Sequence, residues 1–288
     1  MPQTLKTKDW FHADGFPIAV ERRHPQEPFA RHNHEFAEVV LVTEGRGLHV
    51  LGSESWPLTP GDAFVISGHR AHEYREMENL CLVNILFQPA RIQLDTGDLT
   101  RLPGYHALFT LEPAWRRRHN FKSRLHLSPS EFAVVMSYVD HLDEELRART
   151  PGFRVMATAS FLQITAYLSR CYGRAKNPDS RALLRIGEAI SHLESHYAEE
   201  IDVDRLATIA HMSKRSFIRA FQSAMGNSPI AYLIQTRLNR ASEALRQSDQ
   251  SITEIAFQVG FTDSNYFTRQ FTKNFGVSPR LYRRQHQS

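Results

Sequence analysis

The stretch Phe217-Ile218-Arg219-Ala220-Phe221-Gln222-Ser223-Ala224-Met225-Gly226-Asn227-Ser228-Pro229-Ile230-Ala231-Tyr232 decides the reading of this chain, because it recurs 50 residues later as Phe267-Thr268-Arg269-Gln270-Phe271-Thr272-Lys273-Asn274-Phe275-Gly276-Val277-Ser278-Pro279-Arg280-Leu281-Tyr282. Phe, Arg, Phe, Gly, Ser, Pro and Tyr return at the same spacing. Upstream the match continues at an offset of 49, pairing Val203, Leu206, Ala207, Ala210 and Met212 with Ile252, Ile255, Ala256, Val259 and Phe261. One copy therefore holds one more turn residue. A repeat this short is one supersecondary motif used twice.

In the first copy a short helix begins at Asp202-Val203-Asp204-Arg205 and carries Leu206, Ala207 and Ala210 on its apolar side. A turn at His211-Met212-Ser213 leads to a second helix, from about Lys214 to Met225, that buries Phe217 and Phe221 at i, i+4. Small residues at 207 and 210 let the two helices cross closely, which is helix-turn-helix geometry. The exposed face of the second helix carries Lys214, Arg215, Ser216, Arg219 and Gln222. In the second copy the first helix spans Ile252 to Val259 and Gly260 makes the turn. The following helix buries Phe267 and Phe271 and exposes Asp263, Ser264, Asn265, Thr268 and Arg269. These side chains suit base edges: Arg pairs bidentately with guanine, Asn with adenine, and Asp accepts from cytosine. For Asp263 a second role, a helix N-terminal acid favoured by the dipole, is equally open. Ser228-Pro229 opens a joining helix that reaches about Arg246, roughly 28 Å at 1.5 Å per residue, so the two readers fit successive major grooves ~34 Å apart.

The charge follows the repeat. Residues 181–288 hold 14 Lys and Arg against 10 Asp and Glu, whereas residues 1–180 hold 21 of each. The positive surplus fits contact with a polyanion. At 288 residues the chain exceeds one typical core. No run approaches the roughly 18 uncharged apolar residues of a membrane span, and MPQTLKTKDW lacks the apolar region of a signal peptide, so a cytoplasmic protein is expected. Cys81 and Cys171 have no partner at metal-ligand spacing and read as reduced packing thiols.

Between about Pro17 and Pro89 short strands are expected at 39–42, 47–51, 63–67 and 80–87, punctuated by Glu44-Gly45 and Thr59-Pro60-Gly61-Asp62, as in an antiparallel sandwich or small barrel. The period changes at Ser128-Pro129-Ser130-Glu131, a capped helix start followed by Phe132, Val135, Met136, Val139 and Leu142. A second helix is expected from about Phe153 to Tyr172, with Met156, Phe161, Ile164, Tyr167 and Leu168 apolar. Polar residues 173–180 read as a linker. The organisation predicted is α+β and multidomain: a barrel over 1–127, a helical hairpin over 128–172, the linker, and an all-α domain over 181–288.

Residues 185–285 resemble the DNA-binding domain of AraC/XylS-type transcription regulators. The resemblance is carried by Leu206-Ala207, Met212-Ser213, Phe217-x-Arg219-x-Phe221, Gly226-x-Ser228-Pro229-x-x-Tyr232, Arg237-x-x-x-Ala241, Ile252-x-x-Ile255-Ala256-x-x-x-Gly260-Phe261, Asp263-x-x-Tyr266-Phe267-x-Arg269-x-Phe271 and Gly276-x-Ser278-Pro279-x-x-Tyr282-Arg283. It implies seven helices, two helix-turn-helix units joined by a long helix, double-stranded promoter DNA and RNA polymerase as partners, and activation of transcription. The helices over 128–172 resemble that family's dimerisation hairpin, which implies a homodimer; their apolar stripes could instead pack wholly on the barrel.

In the first domain, His32-x-His34-x3-Glu38-x6-Gly45 has metal-ligand spacing, and on one strand period 2 would point His32, His34 and Glu38 to a single face. Pro60-Gly61-Asp62 leads through Ile66 to His72. The pattern resembles both cupin motifs, whose four metal positions fall on His32, His34, Glu38 and His72. It departs from them in lacking the upstream Gly of the first motif and in placing Ser67 where the second commonly has Pro. Three functions stay open for these four residues: lining an effector pocket with no metal required, holding a divalent transition metal, or bonding one another. His69 reads as a loop histidine. Residues 24–66 also resemble the sensor domains of L-rhamnose-responsive activators, through His24-Pro25-Gln26-x-x-Phe29, His32-x-His34-x-Phe36-x-Glu38, Gly47-Leu48-His49-Val50-Leu51 and Gly61-Asp62-x-Phe64-x-Ile66, which implies a sugar effector.

Two functions compete. One is a regulator, an activator controlled by a small molecule in the barrel; the other is a metal-dependent cupin enzyme with an appended helical domain. The duplicated reader is far more specific than the metal spacing and favours the regulator, with no catalysis.

Overall fold

The computed structural model describes residues 2–67, 70–92, 98–115, 125–175 and 177–287. His69 and Lys176, of the expected loop and linker, lie outside them. The chain divides into two compact units, Met1–Gly187 and Glu188–Ser288.

Among the described residues the first unit holds eight strands: β1 (Gln3–Leu5), β2 (Ile18–Arg23), β3 (His32–His34), β4 (Ala37–Leu51), β5 (Glu54–Leu58), β6 (Asp62–Ile66), β7 (His72–Phe87) and β8 (Leu125–His126). Their order is β1-β3-β7-β4-β6-β8, with β2 also on β7 and β5 on β4. All pairs are antiparallel except β1 with β3. The backbone of the sheet is the long pair β4 and β7, running from Ala37 opposite Phe87 to Leu51 opposite His72. Val40 and Val42 alternate with Val39 and Leu41, and all four are buried, so the central strand is covered on both faces and reads as an unbroken apolar run.

The strands expected at 39–42 and 47–51 are one strand, which corrects the sequence reading. Glu44-Gly45 is a chain of bulges, with register shifts from Val42 to Leu48, rather than a turn. Gly45 has φ of 72°, and a Cβ there would stand 2.1 Å from the Asn79 carbonyl oxygen, so the partner strand passes too close for any side chain.

Helix α1 (Thr7–Trp10) follows β1. Beyond the sheet, α2 (Pro103–Tyr105) runs through a π-helical turn (His106–Leu111) into α3 (Glu112–Trp115). The hairpin is α4 (Pro129–Ala148) and α5 (Phe153–Gly173). Ser128 and Glu131 close a capping box on α4. Arg22 of β2 fixes α4 to the sheet, its Nη2 and Nε lying 2.6 Å from Asp140 and 2.7 Å from Asp143. Met156, expected in the apolar stripe, is 54% exposed, and Ala157 takes the buried place. Helix α6 (Pro178–Ser195) contains the junction between the two units.

The second unit continues with α7 (Val203–Ile209), α8 (Lys214–Met225), α9 (Pro229–Gln247), α10 (Ile252–Gln258), α11 (Ser264–Phe275) and α12 (Pro279–His286). Each start carries a side-chain cap: Asp202 and Asp263 accept the backbone N–H two residues on, and Ser213, Ser228, Ser251 and Ser278 the one three residues on. Such a cap stabilises a helix by about 1 kcal/mol. Gly226 and Gly276 close α8 and α11 in the left-handed conformation, which is why the Gly recurs in both copies. Phe217, Phe221, Phe267 and Phe271 are wholly buried, each contributing roughly 1.5–3 kcal/mol.

Candidate DNA interface and effector cavity

Helices α7 and α8 form the first helix-turn-helix, α10 and α11 the second, and the repeat is visible in the turn bonds. The Met212 N–H donates to Ala207 and the Phe261 N–H to Ala256, both at 2.9 Å. The cap of the next helix then follows at once in copy one, as Ser213, and after one further residue in copy two, as Asp263. Thr262 is therefore the additional turn residue. A side chain at Gly260 would be strained: its φ is 93° and a Cβ would stand 2.6 Å from the Ala198 carbonyl oxygen.

On α8, Lys214, Arg215, Arg219 and Gln222 are exposed and Ser216 is half-buried. Lys214 is tied to Asp204 at 2.7 Å, and the Ser213 hydroxyl donates to that of Ser216 at 2.9 Å. Among the described residues Arg219 has no ion-pair partner. On α11, Asn265 and Arg269 are exposed, whereas Ser264 and Thr268 are half-buried, with the Thr268 hydroxyl donating to the Ser264 carbonyl at 2.8 Å. Asp263 is exposed but its carboxylate accepts the Asn265 N–H at 2.7 Å. Its capping role is thus realised in the structure. The arrangement presents two arginines at equivalent places of two helices, each with a cation beyond the apolar core.

In the first unit a cavity of about 210 Å³ opens among β1, α1, β2, β3, β4 and β7. His32, His34, Glu38 and His72 all line it, but not by the route the spacing suggested. His32 and His34 lie on β3 and Glu38 on β4, separated by a break at Glu35-Phe36, so no single strand carries the three. His32 faces His72 across the β3/β7 pairing. Each of His32, His34 and His72 places Nδ1 against a backbone carbonyl, of Ala30, Phe36 and Arg70 respectively. A carbonyl only accepts, so Nδ1 carries the proton and Nε2 is left to face other groups. His34 Nε2 lies 3.2 Å and His72 Nε2 3.9 Å from the same oxygen of Glu38.

Burial governs the charges here. It opposes protonation of His34, but the adjacent Glu38 carboxylate outweighs it and raises that pKa. Burial likewise works against the Glu38 charge, and His34, with His72 and His32, more than offsets it, leaving the carboxyl below its ordinary value. For His72 burial wins, and its pKa falls to about 4 despite Glu38. Burial also lowers that of His32.

A family profile described as "AraC-like ligand binding domain" matches residues 17–128, and one described as "Helix-turn-helix domain" matches residues 206–285. The HTH-type transcriptional activator RhaS of Enterobacter sp. (strain 638) is 30% identical over 97% of this chain and 96% of its own length. The chain belongs to the AraC family. RhaR of Cronobacter sakazakii is 32% identical, covering 98% of this chain and 96% of the relative. Among solved structures, the DNA-binding domain of AdpA in complex with a target DNA is 35% identical over 35% of this chain and 91% of that one, with a TM-score of 0.34. The protein is an AraC-family, DNA-binding transcription regulator with a ligand-binding domain.

The cavity of this AraC-family sensor contains more than the motif residues. Glu21 and Arg23 from β2, Asn84 from β7, Gln26, and Trp10 of α1 also line it. Gln26 stands in the sensor-like pattern His24-Pro25-Gln26-x-x-Phe29, but no local pattern marks the other four. Glu21 and Asn84 meet only because the β2/β7 register sets them opposite each other. A cupin-type metal fits part of the set. One ligand atom each from His34, Glu38 and His72 lies within 4.8 Å of the others, and buried His34 Nε2 and Glu38 Oε2 face each other at 3.2 Å with no other hydrogen-bond partner among the described residues. Ligands about 2.1 Å from a tetrahedral ion stand roughly 3.4 Å apart, between the two separations from Glu38. His32 is not in this group.

Proposed function

We propose that this protein is a transcription activator switched by a neutral polyhydroxylated small molecule, a sugar, bound in the cavity of the first unit. The observation that carries the reading is one cavity lined by carboxylates, two amides, imidazoles and a tryptophan, in the same chain as a duplicated DNA reader. Glu21, Glu38, Asn84 and Gln26 offer acceptors and donors for vicinal hydroxyls, and Trp10 offers an apolar face for a ring. The resemblance to L-rhamnose-responsive sensors and the relatives named RhaS and RhaR support that class of effector. Effector binding acts by favouring one arrangement of the protein over another, which requires a difference in affinity between the two.

The partners follow the same reading: promoter DNA through α8 and α11, RNA polymerase as the target of activation, and a second copy through the hairpin. Val155 and Met156 at the start of α5 are 73% and 54% exposed, which suits association through that end. The barrel serves as sensor and not as enzyme, in keeping with relatives that are activators. A second reading of the cavity, in which a divalent transition metal is a component, rests on the three donor atoms that His34, Glu38 and His72 bring within 4.8 Å of one another. His34, Glu38 and His72 would hold the ion, which would supply a Lewis-acidic point for effector hydroxyls.

The test is thermal unfolding of the full-length protein with pentoses, hexoses and 6-deoxyhexoses, each with chelator or with added Zn²⁺ or Mn²⁺. A ligand at 100 times its Kd stabilises the folded state by about 2.7 kcal/mol. The reading predicts a sugar-dependent rise that Glu38→Gln removes. A rise with metal alone selects the second reading, and none with any sugar contradicts the first.

A further inference from the structure

Arg269 does not project from α11 unaided. Its guanidinium lies over the ring of Tyr266, 5.9 Å from the ring centre. The two are three residues apart and so share a helix face. Tyr266 in turn rests against buried Phe261, with ring centres 6.0 Å apart. Over Phe261 sits the guanidinium of Arg237, at 5.9 Å. Arg237 is itself anchored, donating to the Tyr197 carbonyl at 2.6 Å and to the Glu199 carbonyl at 2.8 Å. A stack of two rings between two cations thus runs from fixed backbone on the scaffold to the tip of the exposed arginine.

The first copy lacks both rings. Ser216 stands where Tyr266 would be, and Met212 where Phe261 would be. Among the described residues no ring lies against Arg219. The two heads share a scaffold but hold their arginines differently.

We propose that Tyr266 is a positioning residue that aims Arg269 at one guanine, making the second helix-turn-helix the more sequence-discriminating of the two. Reading guanine needs both forks of the guanidinium on O6 and N7 at once. A flexible arginine loses rotamer freedom to do so, and a ring that already confines it lowers that cost. An arginine without the ring reaches phosphates and several bases about equally well. The inference rests on Arg269 lying at the DNA, as proposed above.

The experiment selects a randomised duplex library with the full-length protein and sequences the bound fraction, for wild type, Arg269→Ala, Tyr266→Ser, Tyr266→Leu and Tyr266→Phe. Leu keeps apolar packing on Phe261 but has no π face; Phe keeps the face and loses the hydroxyl. Wild type is expected to enrich a guanine at one position that Arg269→Ala loses. Tyr266→Leu and Tyr266→Ser are expected to relax that same position by about two- to fivefold, the range for an exposed cation–π contact, while Tyr266→Phe retains it. The inference is overturned if Tyr266→Leu keeps the wild-type preference, if it relaxes a different position, or if Tyr266→Phe behaves like Tyr266→Leu. If Arg269→Ala itself changes no position, the placement of Arg269 at the bases fails instead.

Discussion

Acidification tests the packing behind the sensor wall at His106. This residue is 2% exposed, lies on the π-helical turn, and donates from Nε2 to the Thr100 carbonyl at 2.6 Å. On the same turn Phe109 meets Phe87 of β7, next to Leu86, which lines the cavity. Burial lowers the His106 pKa to about 4 against an ordinary 6.5, because a second proton on the ring would place a charge in the core. The folded state therefore binds fewer protons than the unfolded chain between those two values. Stability rises with pH in that window, falls on acidification through it, and levels off below about pH 4. Going from pH 7.5 to 5.0, a group with these two pKa values lowers the unfolding free energy by about 2 kcal/mol. The assay is urea unfolding followed by tryptophan fluorescence, since Trp10, Trp56 and Trp115 all belong to the first unit. His106→Asn keeps a donor for Thr100 and removes the titration, so its loss over the same pH step should be smaller by about 2 kcal/mol. An equal loss in both proteins would show that His106 does not carry the acid sensitivity, because every other histidine cancels in the difference.

Replacing Gly260 by Ala should destabilise the second unit by about 3 kcal/mol, from left-handed strain plus overlap with Ala198, whereas Gly276→Ala, with open space at its Cβ, should cost about 1 kcal/mol; thermal unfolding followed by circular dichroism separates them. Arg22→Ala should cost about 2 kcal/mol by freeing α4 from β2, measured by urea unfolding, and Asp143→Asn should cost more than Asp140→Asn because Asp143 is the more buried partner.

The helical half was legible because its signals are local. Ser213 and Gly226 bracket α8, and the expected span, Lys214 to Met225, is the observed one. The β half was legible in kind but not in register. Gly45 reads as a turn in sequence, and only the close passage of Asn79 shows that the strand continues through a bulge. His34 and Glu38 do meet, yet across a strand break that period 2 does not anticipate. Glu21, Arg23, Asn84 and Trp10 were invisible as cavity residues, since long-range pairing and the return of α1 bring them together. Tyr266 stood in the family pattern, but only the ring geometry ties it to Arg269.

In the proposed function two equivalent arginines, Arg219 and Arg269, on two helices read DNA from one chain. The most direct measurement of this is the affinity of full-length wild type and the Arg219→Ala, Arg269→Ala double variant for a library-selected duplex and for a scrambled one, across a salt series. At about 1–3 kcal/mol per base-reading arginine, the double variant should lose at least roughly thirtyfold on the selected duplex and much less on the scrambled one. Binding of the selected duplex as tight as wild type would mean that these arginines do not read its bases.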